Sequence, residues 1–282
     1  MVVARFLITS TLLSGHVVAL AAGFVPTDEE YEEFDNKDRD QMAQIVAQIL
    51  EWIPDQPVQP IPDADSLIHV WNDKTYVKLG DMLLRIGELR TDNAVLSQRW
   101  PKGEVFYEFD SSVDKPRWKT SWRDAAQLWA NAAGLTFKER VNEPNYIVIH
   151  DSRQNRSEIG MQGGPQKMDI ESWGDTHVIA HEIAHALGMA HEHQGKGRSN
   201  YVTIHLKEVQ AGRGSQFAEW PTTNFGSYDF GSVMHYDAYA FTKSSGNMTI
   251  EPRRLHRNQL AIMGQRHQLS ALDKLGMAAI YP

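Results

Sequence analysis

The stretch His181-Glu182-Ile183-Ala184-His185-Ala186-Leu187-Gly188-Met189-Ala190-His191-Glu192 decides how the chain is read. On a helix, four residues turn through about 400°, so His181 and His185 lie on one face, one above the other. That geometry suits two of the three protein ligands of a catalytic zinc. Glu182 follows the first ligand directly and can stand beside the metal without coordinating it, which suits a general base acting on water. His191 adds a third imidazole on one condition. A continued helix would carry it ~9 Å further along the axis and roughly 240° around, where it could not share an ion with zinc–nitrogen bonds of about 2 Å. The helix must therefore stop after His185 and the chain must turn back. Gly188 stands where that stop is needed, because glycine adopts left-handed backbone angles at little cost.

The whole string H-E-x-x-H-x-x-G-x-x-H is similar to the metzincin signature. Two surface histidines on an amphipathic helix would leave Gly188 and His191 without a reason. His177 lies one turn before His181 and could be argued as a ligand. Only the His181 register puts a glutamate directly after the first ligand, so His177 reads as a helix-entry residue.

The chain has 282 residues, 41% apolar and 23% charged, enough for one large domain or two small ones. Residues 1–22 read as a secretory signal: Arg5 supplies the positive start, Phe6 to Leu13 the apolar run, and Ala19-Leu20-Ala21 the cleavage site. No apolar run of about 18 residues follows, so no membrane span is expected. The expected location is extracellular. With no cysteine in the sequence, disulfide staples, thiolate zinc ligands and thiol-based latency are all excluded. Asn155-Arg156-Ser157 and Asn247-Met248-Thr249 are glycosylation sequons.

The net charge of −8 is concentrated: residues 23–90 hold 15 acidic and 6 basic side chains, and the chain from Thr91 onward is neutral. Nothing suggests a nucleic-acid surface. Residues 24–40 are acidic with few apolar anchors. Gln41 to Trp52 has helical spacing, and Pro54, Pro57, Pro60 and Pro62 impose an extended linker. Short apolar runs occupy 67–90, where Arg85 and Arg90 offer basic cleavage points. Residues 23–90 read as a removable pro-segment; a small permanent N-terminal domain is the alternative.

From Arg99-Trp100-Pro101 the texture changes. Glu104 to Phe109, Leu135 to Lys138, Tyr146 to His150 and Gln166 to Ile170 read as strands. Pro116 to Ala133 reads as a helix carrying Trp118, Trp122, Ala125 and Trp129 on one face, with Pro116 in the first turn. Asp175 caps the metal-binding helix, which runs to Leu187. After Gly195 the pattern is loop-rich.

A second string, Ser232-Val233-Met234-His235-Tyr236, resembles the Met-turn of metzincins, and its S-x-M-H-Y form is similar to the astacin family. Glu192 after the third histidine, Gly264-Gln265-Arg266 with Leu269-Ser270 and Asp273, and Arg99-Trp100-Pro101 match the same family. The resemblance covers 91–282. It implies an α+β fold: a two-lobed catalytic domain, with a twisted mixed sheet and active-site helix in the first lobe and a loop-rich second lobe carrying the Met-turn. It further implies one zinc ion held by His181, His185 and His191, Glu182 as base, and Tyr236 as the zinc-side tyrosine that stabilises the oxyanion. Met234 would pack beneath the metal, and Glu192 would meet the new N-terminus after activation. Family pro-segments carry a Gly-Asp element whose aspartate occupies the metal; Gly80-Asp81 stands in that place, with Lys78 where the family usually has an aromatic residue. Cleavage after Arg90 would leave Thr91 as the mature start. The family's usual paired cysteines are missing.

The resemblance thus implies a secreted zinc endopeptidase made as a zymogen, a monomer whose partners are protein or peptide substrates and an activating protease. A zinc-dependent binding protein is the alternative from another class; the complete set of catalytic side chains speaks against it. A non-astacin metzincin is disfavoured by Glu192 and Tyr236. The strand at Gln166 to Ile170 is expected to pair with extended substrate. Arg253, Arg254 and Arg257 suggest a taste for acidic residues after the cut, against the plainer reading of a solvated basic loop.

Overall fold

The computed structural model describes residues 68–71, 74–85, 99–220, 222 and 225–282. The signal at 1–22, the acidic stretch, the helix at Gln41 to Trp52, the proline linker and the Arg90–Thr91 junction lie outside the described residues.

One mixed sheet organises the first lobe. Its strands are β1 (Ile68–Trp71), β2 (Lys74–Leu79), β3 (Met82–Arg85), β4 (Glu104–Phe109), β5 (Thr136–Glu139), β6 (Tyr146–Asp151), β7 (Arg156–Glu158) and β8 (Pro165–Ile170). The spatial order is β1-β2-β3-β7-β8-β6-β4-β5. Strands β5, β4, β6 and β8 run parallel, β7 is antiparallel to β8, and the β1–β3 meander joins through β3 parallel to β7. Where described, at 68–71 and 74–85, the short apolar runs are therefore strands continuous with the catalytic sheet. Strand β8 lies inside the sheet, flanked by β6 and β7, so the expected substrate-pairing strand at Gln166 to Ile170 has no free edge. The edge beside the site is β7, and β3 occupies it.

Helix α1 (Pro116–Ala130) lies against this sheet, ending three residues short of the sequence expectation. Trp122 is fully buried among Tyr107, Phe109 and Phe137 of β4 and β5. Each large ring removes apolar surface at about 25 cal/mol per Å², which binds helix to sheet without disulfides. Helix α2 (Thr176–Ala186) carries the signature histidines. Asp175 caps its start, accepting from His177 N and Val178 N, which makes His177 part of the helix entry. The carbonyls of its last turn would be orphaned by a helix end. Here Trp100 Nε1 donates to Ala186 O at 2.8 Å, the Tyr281 hydroxyl to Leu187 O at 3.0 Å, and Gly160 N to His185 O at 2.7 Å. Trp129 Nε1 adds a bond to Ala180 O at 2.8 Å.

The second lobe has its own apolar cluster, including Val202, Phe217, Phe230, Tyr236, Ile250 and Met263. Its regular structure amounts to β9 (Val202–Ile204) paired with β10 (Ile250–Pro252), several 3-10 turns, and helix α3 (Ala271–Ile280). The last was not read from the sequence. Ser270 and Asp273 form a capping box at its start.

Candidate active site

Helix α2 brings His181, Glu182 and His185 into the gap between the lobes, all three buried. Leu187 then closes the helix and Gly188 takes φ 105°, with Gly188 N bonded to His185 O and Met189 N to Ala184 O. The turn both returns the chain toward the site and presents Met189 O to His185 Nδ1 at 2.7 Å. His191 follows in extended conformation and its ring meets the other two, with centroids 5.3 Å from His181 and 4.8 Å from His185.

The hydrogen bonds fix the chemistry of the three rings. His181 Nδ1 contacts Val233 O at 2.8 Å, His185 Nδ1 contacts Met189 O, and His191 Nδ1 contacts the Gln194 side-chain oxygen at 3.0 Å. Each acceptor calls for a proton on Nδ1, so in the neutral rings every Nε2 carries a lone pair directed inward. His181 Nε2 and His185 Nε2 lie 3.1 Å apart. Two lone pairs at that distance repel unless a cation lies between them; nitrogens on one tetrahedral zinc are roughly 3.3 Å apart. The outer acceptors do what second-shell partners of metal-bound histidines do. The residues fit a zinc ion.

Asp81, at the tip between β2 and β3, enters the same space. Its oxygens lie 3.1 Å from His181 Nε2, 2.9 Å from His191 Nε2 and 3.7 Å from His185 Nε2. The four ligand atoms fall within 4.8 Å of one another. Burial would raise the Asp81 pKa, but the imidazoles facing it, His191 foremost, hold it well below the usual carboxylate range. Burial, aided by Arg266, lowers His181 to about 3, and burial likewise lowers His185. Glu182 is pushed well above its ordinary value by burial and then by the Asp81 charge, and its Oε2 has no hydrogen-bond partner among the described residues.

Tyr236 arrives from the Met-turn. Its ring lies 4.4 Å from that of His191, and a methyl built on Gly80 would fall 2.6 Å from its hydroxyl oxygen. Burial, Asp81 and Glu182 raise its pKa well above 10.0, so it is a neutral donor. Met234 is buried in the first lobe's core and its carbonyl accepts from Glu192 N at 3.1 Å. Glu192 accepts from Asp229 N at 2.8 Å and is pushed up to about 7 by burial and the neighbouring carboxylates.

Sequence reasoning named Asp273 and Arg266 only as family-like residues without a role, and it missed Gln194. Asp273 accepts from Ser232 Oγ at 2.6 Å and Val233 N at 2.9 Å, and so holds the carbonyl that orients His181. Gln194 orients His191, and no spacing rule points to it. Arg266 donates to His235 O at 3.1 Å, and its charge acts on Asp81, Glu182 and Tyr236. Arg253, Arg254 and Arg257, read as pocket candidates, are exposed; Arg253 donates to Ser199 O at 2.5 Å and Arg257 to Glu251 at 3.4 Å. The plainer reading of that basic loop fits better.

Three converging imidazoles, a buried carboxyl beside them and a phenol at their edge define a metal-dependent hydrolase site. The family model described as Astacin, a peptidase family, matches residues 92–282. Astacin-like metalloprotease toxin 1 of Loxosceles intermedia is 33% identical over 183 residues, 61% of this chain and 69% of that protein. Low choriolytic enzyme of Oryzias latipes is 30% identical over 237 residues, 78% of this chain and 84% of that protein. Among solved structures, high choriolytic enzyme 1 of Oryzias latipes, a hatching-enzyme zinc protease, superposes with a TM-score of 0.59 at 26% identity, covering 65% of this chain and 92% of that one. The chain belongs to the astacin family of zinc metalloendopeptidases. Among the described residues no helix is long and apolar enough to cross a membrane.

Proposed function

We propose that the chain is a secreted astacin-type endopeptidase held inactive by its own β2–β3 hairpin until residues 23–90 are removed. The observation that carries this reading is Asp81 set against all three imidazoles, with β3 hydrogen-bonded along the edge strand β7. The family match beginning at residue 92 supports cleavage after Arg90 and Thr91 as the mature start. The signal-like residues 1–22 support export, and 91–282 would be the working domain.

In this reading His181, His185 and His191 hold zinc through Nε2, and their Nδ1 hydrogen bonds keep the rings aimed. Zinc supplies a Lewis acid that makes water a nucleophile near neutral pH and polarises the scissile carbonyl. Glu182 takes the proton from the attacking water and delivers it to the leaving amine nitrogen. The Tyr236 hydroxyl donates to the oxyanion that develops on the carbonyl. Met234 packs beneath the site, and Glu192 receives the new N-terminal ammonium. Asp81 blocks the chemistry because its oxygens fill the position needed by water.

The test uses Glu182→Gln in the trimmed protein. We expect zinc to remain stoichiometric while turnover of a peptide falls by about 10²–10⁴. Turnover equal to the parent would discard Glu182 as the base. Uncleaved parent protein as active as the trimmed form would discard the latch.

A further inference from the structure

We propose that His193 is the positioning residue for Tyr236, the flat wall that keeps the phenol ring in the plane from which its hydroxyl reaches substrate. The inference rests on the oxyanion role given to Tyr236 above. His193 is fully buried in the 3-10 turn Glu192–Gln194. Its ring stacks on Tyr236, with centroids 4.2 Å apart and planes 27° from parallel. The other described rings around Tyr236 meet it at steeper angles: His191 at 52°, Phe241 at 57° and Phe217 at 78°. Neighbours at steep angles bound the ring's edges and leave its tilt to the one near-parallel neighbour.

That neighbour is clamped. Its Nε2 donates to Gln216 O at 3.0 Å, its own carbonyl accepts from Arg198 Nη1 at 2.7 Å, and Phe217 lies 5.7 Å from its centroid. Its Nδ1, buried, has no partner among the described residues. The ring is therefore held by one nitrogen and used by its face. The hairpin tip lies close to the hydroxyl, where a methyl built on Gly80 would fall 2.6 Å from its oxygen. With the hairpin gone, the phenol gains room at its hydroxyl end, and movement along the His193 face carries the hydroxyl without tilting the ring. A wall of this kind acts on an interaction made in the transition state, so its loss lowers kcat and leaves KM nearly unchanged.

The test uses the trimmed, zinc-loaded protein, a fluorogenic peptide, and a phosphinate peptide inhibitor that mimics the tetrahedral transition state. We expect His193→Leu to lower kcat by about tenfold with KM within roughly twofold, and to weaken phosphinate binding, read by calorimetry, by about the same factor. His193→Phe, which keeps the flat face and loses the bond to Gln216, should stay within about threefold of the parent in both readouts. His193→Gln, which can keep the bond and loses the ring, should resemble His193→Leu. In a Tyr236→Phe background, His193→Leu should add nothing, because its effect passes through the hydroxyl. An equal drop in that background, a change confined to KM, or His193→Gln outperforming His193→Phe would overturn the inference. Should His193→Leu fail to fold, the order of the Phe and Gln variants decides alone. Normal His193 variants beside an impaired Tyr236→Phe remove only this inference; a fully active Tyr236→Phe removes the role of Tyr236 as well.

Discussion

His181, Glu182 and His185 come from two successive turns of one helix, while His191, Met234 and Tyr236 come from segments with almost no repeating backbone structure. The first group is aimed by helix geometry, and the helix is held by indole and phenol donors on its carbonyls. The second is aimed by side chains that reach across the fold to single backbone atoms: Asp273 to Val233, Gln265 to Gly231, Arg266 to His235. A helix spreads its support over many equivalent bonds, so losing one matters little. A loop held at a few points concentrates the same dependence on a few side chains.

The largest difference between the halves should come from Asp273→Ala. Asp273 accepts from Ser232 Oγ, Val233 N and Ser270 N, and all three would lose a buried partner. Unfolding free energy should drop by roughly 4 kcal/mol, and zinc should bind more weakly because Val233 O no longer orients His181. Unchanged zinc affinity in chelator competition would break the contrast. Next comes Glu192 in the uncleaved, zinc-saturated chain. Its folded pKa of about 7 exceeds the ordinary 4.5, so between these values the folded state keeps a proton that the unfolded state has released. Stability from this group is present below about pH 4.5 and declines as pH rises to about 7, by roughly 3 kcal/mol at most. Glu192→Gln should remove that decline, and trimming should reverse it by supplying an ammonium. Parallel stability curves for parent and variant would refute the assignment. The smallest effect is expected in the helical half. Asp175→Ala deletes the α2 cap and should cost about 1 kcal/mol in denaturant melts while leaving zinc affinity unchanged.

The same contrast explains what could be read in advance. The α2 histidines and the Trp122/Trp129 face of α1 follow a 3.6-residue period, which survives in a bare sequence. Gly188 was legible because the third histidine required a stop, and a positive φ is what glycine permits at least cost. Strand β7 was not legible: Arg156-Ser157-Glu158 has no apolar alternation, and a strand that short is defined by its neighbours. Helix α3 could have been found from Ser270, Asp273 and the apolar run behind them. The bonds from Gln194 to His191 and from Arg266 to His235 carry no periodic signal, because each joins one side chain to one distant or irregular atom. Charge clustering pointed to Arg253, Arg254 and Arg257, yet composition cannot distinguish an exposed basic loop from the half-buried Arg266.

The seam between β3 and β7 bears on how the proposed maturation would unfold in time. Asp81 O accepts from Ser157 N at 2.8 Å, Leu83 O from Ile159 N at 3.3 Å, and Lys74 and Lys78 tie the meander to Pro165 and Gln154. None of these bonds depends on the peptide link at Arg90. A single cut would turn an intramolecular plug into a separate fragment still seated in its groove, and the loss of tethering would then let dilution or further digestion drive it off. Activation would thus lag behind cleavage, and the lag would shorten as the protein is diluted.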